Sequence, residues 1–240
     1  MKGFDLGPWL ELLVAGLWVT VYATILGTFL AVVVAFTLGL LSLEHHVVPR
    51  TIARVIVEFF RGTSLIVQLF WIVYAAPLLL GYKLNNVVAA IIALGLNFGA
   101  YGAEVVRGAI KAVPKPQREA CTALNLTALH SFRRVILPQA LPLMIPPAGN
   151  LMVQLIKSTP LMFLVGTVDF FTVGDMIRRG QPGSVGLVYL GVLVVFFLLS
   201  MIVVGITQLL ENWAKRRLGQ KPVRISTATV AGAAPAGEVV

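Results

Sequence analysis

Five stretches of this chain are apolar over greater lengths than a soluble core of this size can hide. They run from about Trp9 to Leu43, Ile52 to Leu80, Asn86 to Ala112, Leu143 to Val168 and Gly186 to Leu210. A run of about 18 apolar residues is already a candidate membrane span. In lipid every backbone donor and acceptor must be satisfied within the chain, so such runs are read as helices. The balance of residue types agrees: 58% of the 240 residues are hydrophobic and 12% are charged, against about 25% charged in soluble domains. The expected fold is all-α, an integral membrane helical bundle of about five transmembrane helices. Its first run is long enough to tilt or to begin as an interfacial helix. Residues 1–218 are expected to form one membrane domain, and the Pro/Gly-spotted stretch 219–240 a disordered cytoplasmic tail.

The net charge of +9 suggests nucleic acid until its distribution is considered. No basic patch is interleaved with stacking aromatics, so no nucleic-acid partner is expected. With five spans, one side holds Arg50, Arg54, Arg107, Lys111, Lys115, Arg118, Arg133, Arg134, Lys215, Arg216, Arg217, Lys221 and Arg224. The other holds only Lys2, Lys83, Arg178 and Arg179. Lys and Arg collect on the cytoplasmic side, so the N-terminus is expected outside and the C-terminus in the cytoplasm. Cys121 is the only cysteine, which leaves no internal disulfide, and His45, His46 and His130 show no metal-ligand spacing. The start of the chain reads as a retained span rather than a cleaved signal.

Polar residues inside the spans fall on helical stripes. Asn150, Gln154 and Lys157 are spaced i, i+4, i+7 in the fourth run, as are Asn97, Tyr101 and Glu104 in the third. Arg61 and Gln68 are seven apart in the second, with Glu58 one turn before Arg61. The simplest packing turns these stripes toward one another. Two roles are open. Glu58, Arg61 and Glu104 are candidate ion pairs locking helices together. Lys157 is either neutralised by one of those glutamates or faces an anionic group on a substrate. Lys157-Ser158-Thr159 lacks the glycines of a phosphate-cradling loop, so any ATP work falls to another chain. No nucleophile–base set, carboxylate pair or metal cluster stands out; neither enzymatic activity nor a bound metal is expected.

The segment 119–142, EACTALNLTALHSFRRVILPQALP, is the polar anomaly between apolar runs. Pro114 and Pro116 break continuity with the third run. Ala120, Ala123 and Leu124 suit one face of a short helix. Asn125 then favours a left-handed turn, and Thr127 can cap a second helix that Pro138 is expected to stop. Two short helices with a tight turn, or a single interfacial anchor helix, satisfy these signals equally.

EACTALNLTALHSFRRVILPQALP resembles the cytoplasmic EAA loop of importer permeases of the ABC transporter superfamily. Glu119, Ala120 and Cys121 stand where that family has Glu-Ala-Ala, Asn125 where it usually has Gly, and Ile136-Leu137-Pro138 match its closing apolar-Leu-Pro. EFFRGTSLIVQLFWIVY resembles the second-span signature of the polar amino-acid uptake subfamily, with Ser64 for the usual Pro. GAYGAEVVRGAIKAVPKPQREA and LPQALPLMIPPAGNLMVQLIKSTPL resemble its later signatures. In the latter, Ser158 stands where an acid or amide is common and Pro160 where Ser is.

The resemblance implies half of a translocation pathway. A second permease subunit, the same or a sister chain, completes it. An ATPase dimer carrying ATP and magnesium docks on the EAA loop, and an external solute-binding protein delivers ligand in the bacterial cytoplasmic membrane. Glu119, Ala120, Cys121, Asn125 and Pro138 then belong to the ATPase-coupling loop. Ser64, Gln68, Asn97, Gln154, Lys157 and Ser158 are candidate pathway residues. The substrate is expected to be a polar amino acid or a similar zwitterion, including an ectoine-type compatible solute, because Ser158 is neutral. The alternative is an ion-coupled secondary transporter of small solutes, which usually needs more spans and paired interrupted helices.

Overall fold

The computed structural model describes residues 7–81 and 84–217, and all regular structure within them is helical. The expected tail lies outside the described residues. Helix α1 (Leu10–Leu41) has 32 residues, about 48 Å at 1.5 Å per residue, so it outreaches the hydrocarbon layer. Ser42 closes it by donating its hydroxyl to the Leu38 carbonyl at 2.7 Å. Helices α2 (Val47–Gly62) and α3 (Leu65–Leu80) follow. Helix α4 (Asn86–Ala112) is started by the Asn85 side chain, which accepts from the Val87 N–H at 2.9 Å. It ends at Val113, where Pro114 forbids another helical residue. Then come α5 (Lys115–Ala123), α6 (Ala128–Ser131) and α7 (Leu137–Ser158). The chain ends its described part with α8 (Phe170–Gly180) and α9 (Val185–Arg217).

Four segments are long and apolar enough to cross a membrane, and the bent pair α2–α3 meets the same test only when taken together. This pair differs from the straight span expected over Ile52–Leu80: α2 and α3 meet at 105°. Thr63 and Ser64 are both extended at the break. A break orphans the last carbonyls of α2, and side chains from two helices take them over. The Phe60 carbonyl accepts from Gln68 Nε2 at 2.8 Å and from Asn97 Nδ2 at 3.1 Å. Gln68 Nε2 also donates to Thr63 Oγ1 at 2.6 Å, and Asn97 Nδ2 donates to Gln68 Oε1 at 3.1 Å.

The fourth span also differs. It was expected to begin near Leu143 after a stop at Pro138; instead, helix runs without interruption from Ala128 to Val165. Pro138 is absorbed because the turn just before it, Phe132–Ile136, is a wide π turn. Such a turn relieves the clash between a proline ring and the carbonyl four residues back.

Small residues let α4 sit at the centre. Gly95 and Gly99 form a small-xxx-small pair against α1; a Cβ on Gly99 would stand 2.6 Å from the Val34 Cβ. On one side of this contact Ala23, Leu69, Leu94, Leu155 and Met162 form a core. On the other, Val106, Ile110, Ala140 and Met144 form a second, joined by Phe132 and Ile136. A third, smaller cluster packs Val173 and Ile177 of α8 on Trp9 and Leu13. The bundle thus has one end that gathers 42–46 and 113–127, and an opposite end that gathers α8 and its flanking loops.

Candidate functional site

The 113–131 segment is a helix–turn–helix. Its turn closes in the Schellman pattern. Asn125 takes φ 49°, the only positive φ outside glycine among the described residues. The Leu126 N–H bonds back to the Cys121 carbonyl and the Asn125 N–H to the Thr122 carbonyl, each at 3.0 Å. Thr127 caps α6, its hydroxyl accepting from the His130 N–H at 3.4 Å. Arg118 ties the element to the span above it through the Ile110 carbonyl. Cys121 is buried, while Glu119, Ala120 and Asn125 are exposed and Pro138 is half-buried. Leu124 and Leu129 stand 72% and 65% exposed, beside exposed His130, Arg133 and Arg134. Two large apolar side chains held out by a rigid turn and ringed by charge make a surface suited to insertion into a partner's groove.

The polar stripes do not all converge. Gln68 and Asn97 are buried at the α2–α3 break, with their amides committed to each other and to backbone. Ser64 is exposed at the start of α3. The α7 stripe turns away from the bundle: Asn150, Gln154 and Lys157 are exposed, and Ser158 donates to the Gln154 carbonyl at 2.9 Å. Lys157 has no carboxylate at ion-pair distance among the described residues. The two expected partners are taken within their own helices. Arg61 pairs with Glu58 at 3.4 Å and Glu104 with Arg107 at 2.5 Å. Arg61 and Glu104 therefore do not lock α2 to α4 by pairing. Tyr101 does part of that work: its hydroxyl donates to the Arg61 carbonyl at 3.2 Å, and the Arg61 guanidinium lies 5.5 Å from its ring centroid.

Sequence reasoning passed over the opposite end. Asp175 is held by Arg178 at 2.7 Å and Arg179 at 2.6 Å. These partners, Arg178 first, keep its carboxyl below the usual aspartate range. The i, i+3, i+4 spacing in DMIRR carries that signal. Asp169 caps α8 and is fully buried. Burial raises its carboxyl above the ordinary value, opposed by hydrogen bonds from the Thr172 hydroxyl and N–H. The Phe170 N–H donates to Thr20 Oγ1 of α1 at 3.1 Å, which seats this loop. No group of three or more potential metal ligands occurs among the described residues.

A model of the binding-protein-dependent transport system inner membrane component family matches residues 23–216. The chain belongs to this family. It is 38% identical over 86% of its length to a probable amino-acid ABC transporter permease of Sinorhizobium fredii, covering 88% of that protein. It is 31% identical over 87% to the glutamine transport system permease of Escherichia coli, covering 95% of it. A solved amino acid ABC transporter with histidines superposes with a TM-score of 0.79 at 26% identity, covering 88% of this chain and 99% of that one. The methionine transporter MetNI in inward-facing conformations shares the fold, with a TM-score of 0.69 at 22% identity over 85% and 98% of the two chains. Members of this family are multi-pass membrane proteins, and the helix–turn–helix at 115–131 lies inside the matched region.

Proposed function

We propose that this chain is the permease subunit of an amino-acid importer and forms half of its pathway, with the 115–131 turn as the element that an ATPase dimer grips. The single observation that carries the reading is the exposed, stereochemically fixed turn at Leu124–Leu129 on a chain that has no nucleotide loop of its own. The naming of the curated relatives as amino-acid permeases supports the same reading. ATP and magnesium are then handled by the partner ATPase. A second permease, the same or a sister chain, faces the polar α7 stripe across the pathway, and a solute-binding protein delivers ligand at the α8 end. The bias of Lys and Arg supports a cytoplasmic position for the docking turn, with the N-terminus outside and the C-terminus inside. Rigid-body movement of the gripped turn would swing the spans between states.

The substrate class is a polar amino acid or related zwitterion. Ser64, Gln154 and Lys157 are the pathway residues exposed beside it, and Ser158, whose hydroxyl donates to the Gln154 carbonyl, keeps acceptor capacity toward it. Gln68 and Asn97 act in this reading by holding the bend beside that path. A neutral Ser158 favours a zwitterion over a strongly cationic solute, and an ectoine-type compatible solute lies within that class.

Co-purification is the first test: an ATPase subunit should accompany the chain. Uptake should stop on ATP depletion and survive a proton uncoupler while ATP is maintained; the reverse pattern would sink the importer reading. Glu119→Lys should abolish uptake while the chain still inserts, and retained uptake would remove Glu119 from the docking role. Cysteines at Ser184 and His45, in a Cys121→Ser chain, should react with an impermeant thiol reagent from outside and inside respectively.

A further inference from the structure

Two wide turns occur among the described residues, and both sit directly before a proline. Trp71–Ala75 precedes Pro77, and Phe132–Ile136 precedes Pro138. In each, the residue after the turn donates five residues back: Ala76 to the Trp71 carbonyl, Leu137 to the Phe132 carbonyl. Pro142, Pro146 and Pro147 lie inside α7 with no wide turn before them, so a proline ring and its missing N–H favour a wide turn without sufficing for one. The second turn has a geometric consequence that the first lacks, because it lies between the docking turn and a span.

Phe132 and Met144 are twelve positions apart. At 100° per residue an uninterrupted α-helix would place them about 120° apart around the axis. A π turn accommodates about one extra residue and so removes about 100° of that angle. The structure shows the result: Phe132, Ile136, Ala140 and Met144 all meet the same core. Leu129, His130, Arg133 and Arg134 are left exposed. Without the wide turn, keeping α7 seated would rotate α6 by about 100°, carrying Phe132 off the core and re-aiming Leu129.

We infer that Pro138 is a positioning residue for coupling: by stabilising the wide turn at Phe132–Ile136 it sets the rotational register between the docking helix and the fourth span. This deepens the proposed function and rests on the docking role given to 115–131. Pro138 touches no partner itself; it acts through the direction in which Leu129 and its charged neighbours point.

The test uses the full complex of permease, ATPase and binding protein in proteoliposomes, and reads solute imported per ATP hydrolysed. Pro138→Ala should lose most of that ratio while ATP hydrolysis persists. Deleting Val135 in the Pro138→Ala chain removes the extra residue, restores the angle in a plain α-helix, and should restore the ratio. A merely structural proline would not be rescued by a deletion. Pro77→Ala, with the same local construction away from the docking turn, should keep the wild-type ratio. A wild-type ratio in Pro138→Ala, no rescue by the deletion, or an equal loss in Pro77→Ala would each overturn the inference. If Pro138→Ala does not accumulate, recovery of a coupled complex by the deletion supports the inference and its failure overturns it. Absence of ATP-driven uptake in the wild-type complex would overturn the docking reading itself, and the inference with it.

Discussion

At the scale of single residues, Asn125 carries the geometry of the turn between α5 and α6. A left-handed backbone costs most L-residues about 1–2 kcal/mol, and Asn is among the few that visit it routinely. Asn125→Gly should therefore leave the turn intact, and Asn125→Val should destabilise it by about 1–2 kcal/mol; hydrogen exchange at the Leu126 amide reads the difference. The two aspartates at the opposite end have contrary signs. Arg178 and Arg179 lower the Asp175 carboxyl, so its contribution to stability is complete above the ordinary aspartate value of about 3.9. It is lost as pH falls through the lowered value. Burial raises the Asp169 carboxyl, so its ionisation costs stability as pH rises from the ordinary value through the raised one. Asp175→Asn should flatten the acid limb of a thermal-unfolding profile, and Asp169→Asn the limb above it. An Asp175→Asn profile with an unchanged acid limb would contradict this assignment.

At the scale of elements, the broken second span is the part that the sequence concealed. Periodicity showed Gln68 and Asn97 as polar positions on two helices, but not that a carbonyl from a third segment would lie between them. Reading Ile52–Leu80 as one run passes over a break made by only Thr63 and Ser64 in extended conformation. The turn at Asn125 was half legible: its signals are local, Asn125 for the left-handed residue and Thr127 for the cap, but they suited a single interfacial helix equally. Pro138 misled for the complementary reason, since a proline reads as a stop unless the preceding turn widens. The break gives its own prediction. The Phe60 carbonyl has two amide donors, so Gln68→Leu or Asn97→Leu alone leaves it one. The double substitution leaves it none in a part-buried place, where an unmade bond costs about 1–3 kcal/mol. The double variant should lose more stability than the sum of the singles, by about 0.5–3 kcal/mol, in denaturation of the purified protein. Strict additivity would mean that the bend is held by other contacts.

At the scale of the whole molecule, the stripe on α7 is the unfinished surface. Three polar side chains, Asn150, Gln154 and Lys157, face out of a membrane-crossing helix. An ammonium at mid-span that faced lipid would cost at least about 2.5 kcal/mol. None of the described residues places a carboxylate at ion-pair distance to offset it. The α9 face behaves differently: it exposes Leu193, Phe197 and Ile202, all apolar. The two faces are chemically distinct, and only the first requires water or another protein. A cysteine at Gln154 in a Cys121→Ser chain should therefore react with a small impermeant thiol reagent in the assembled membrane complex, and saturating solute should slow the reaction. A cysteine at Phe197 should remain unreactive in both conditions. Lys157→Met should insert and assemble normally but lower uptake of solutes that carry a carboxylate. If the Gln154 cysteine proves as inert as the one at Phe197, the α7 face is sealed by a protein contact along its length, and the pathway must run along α2 and α3 instead.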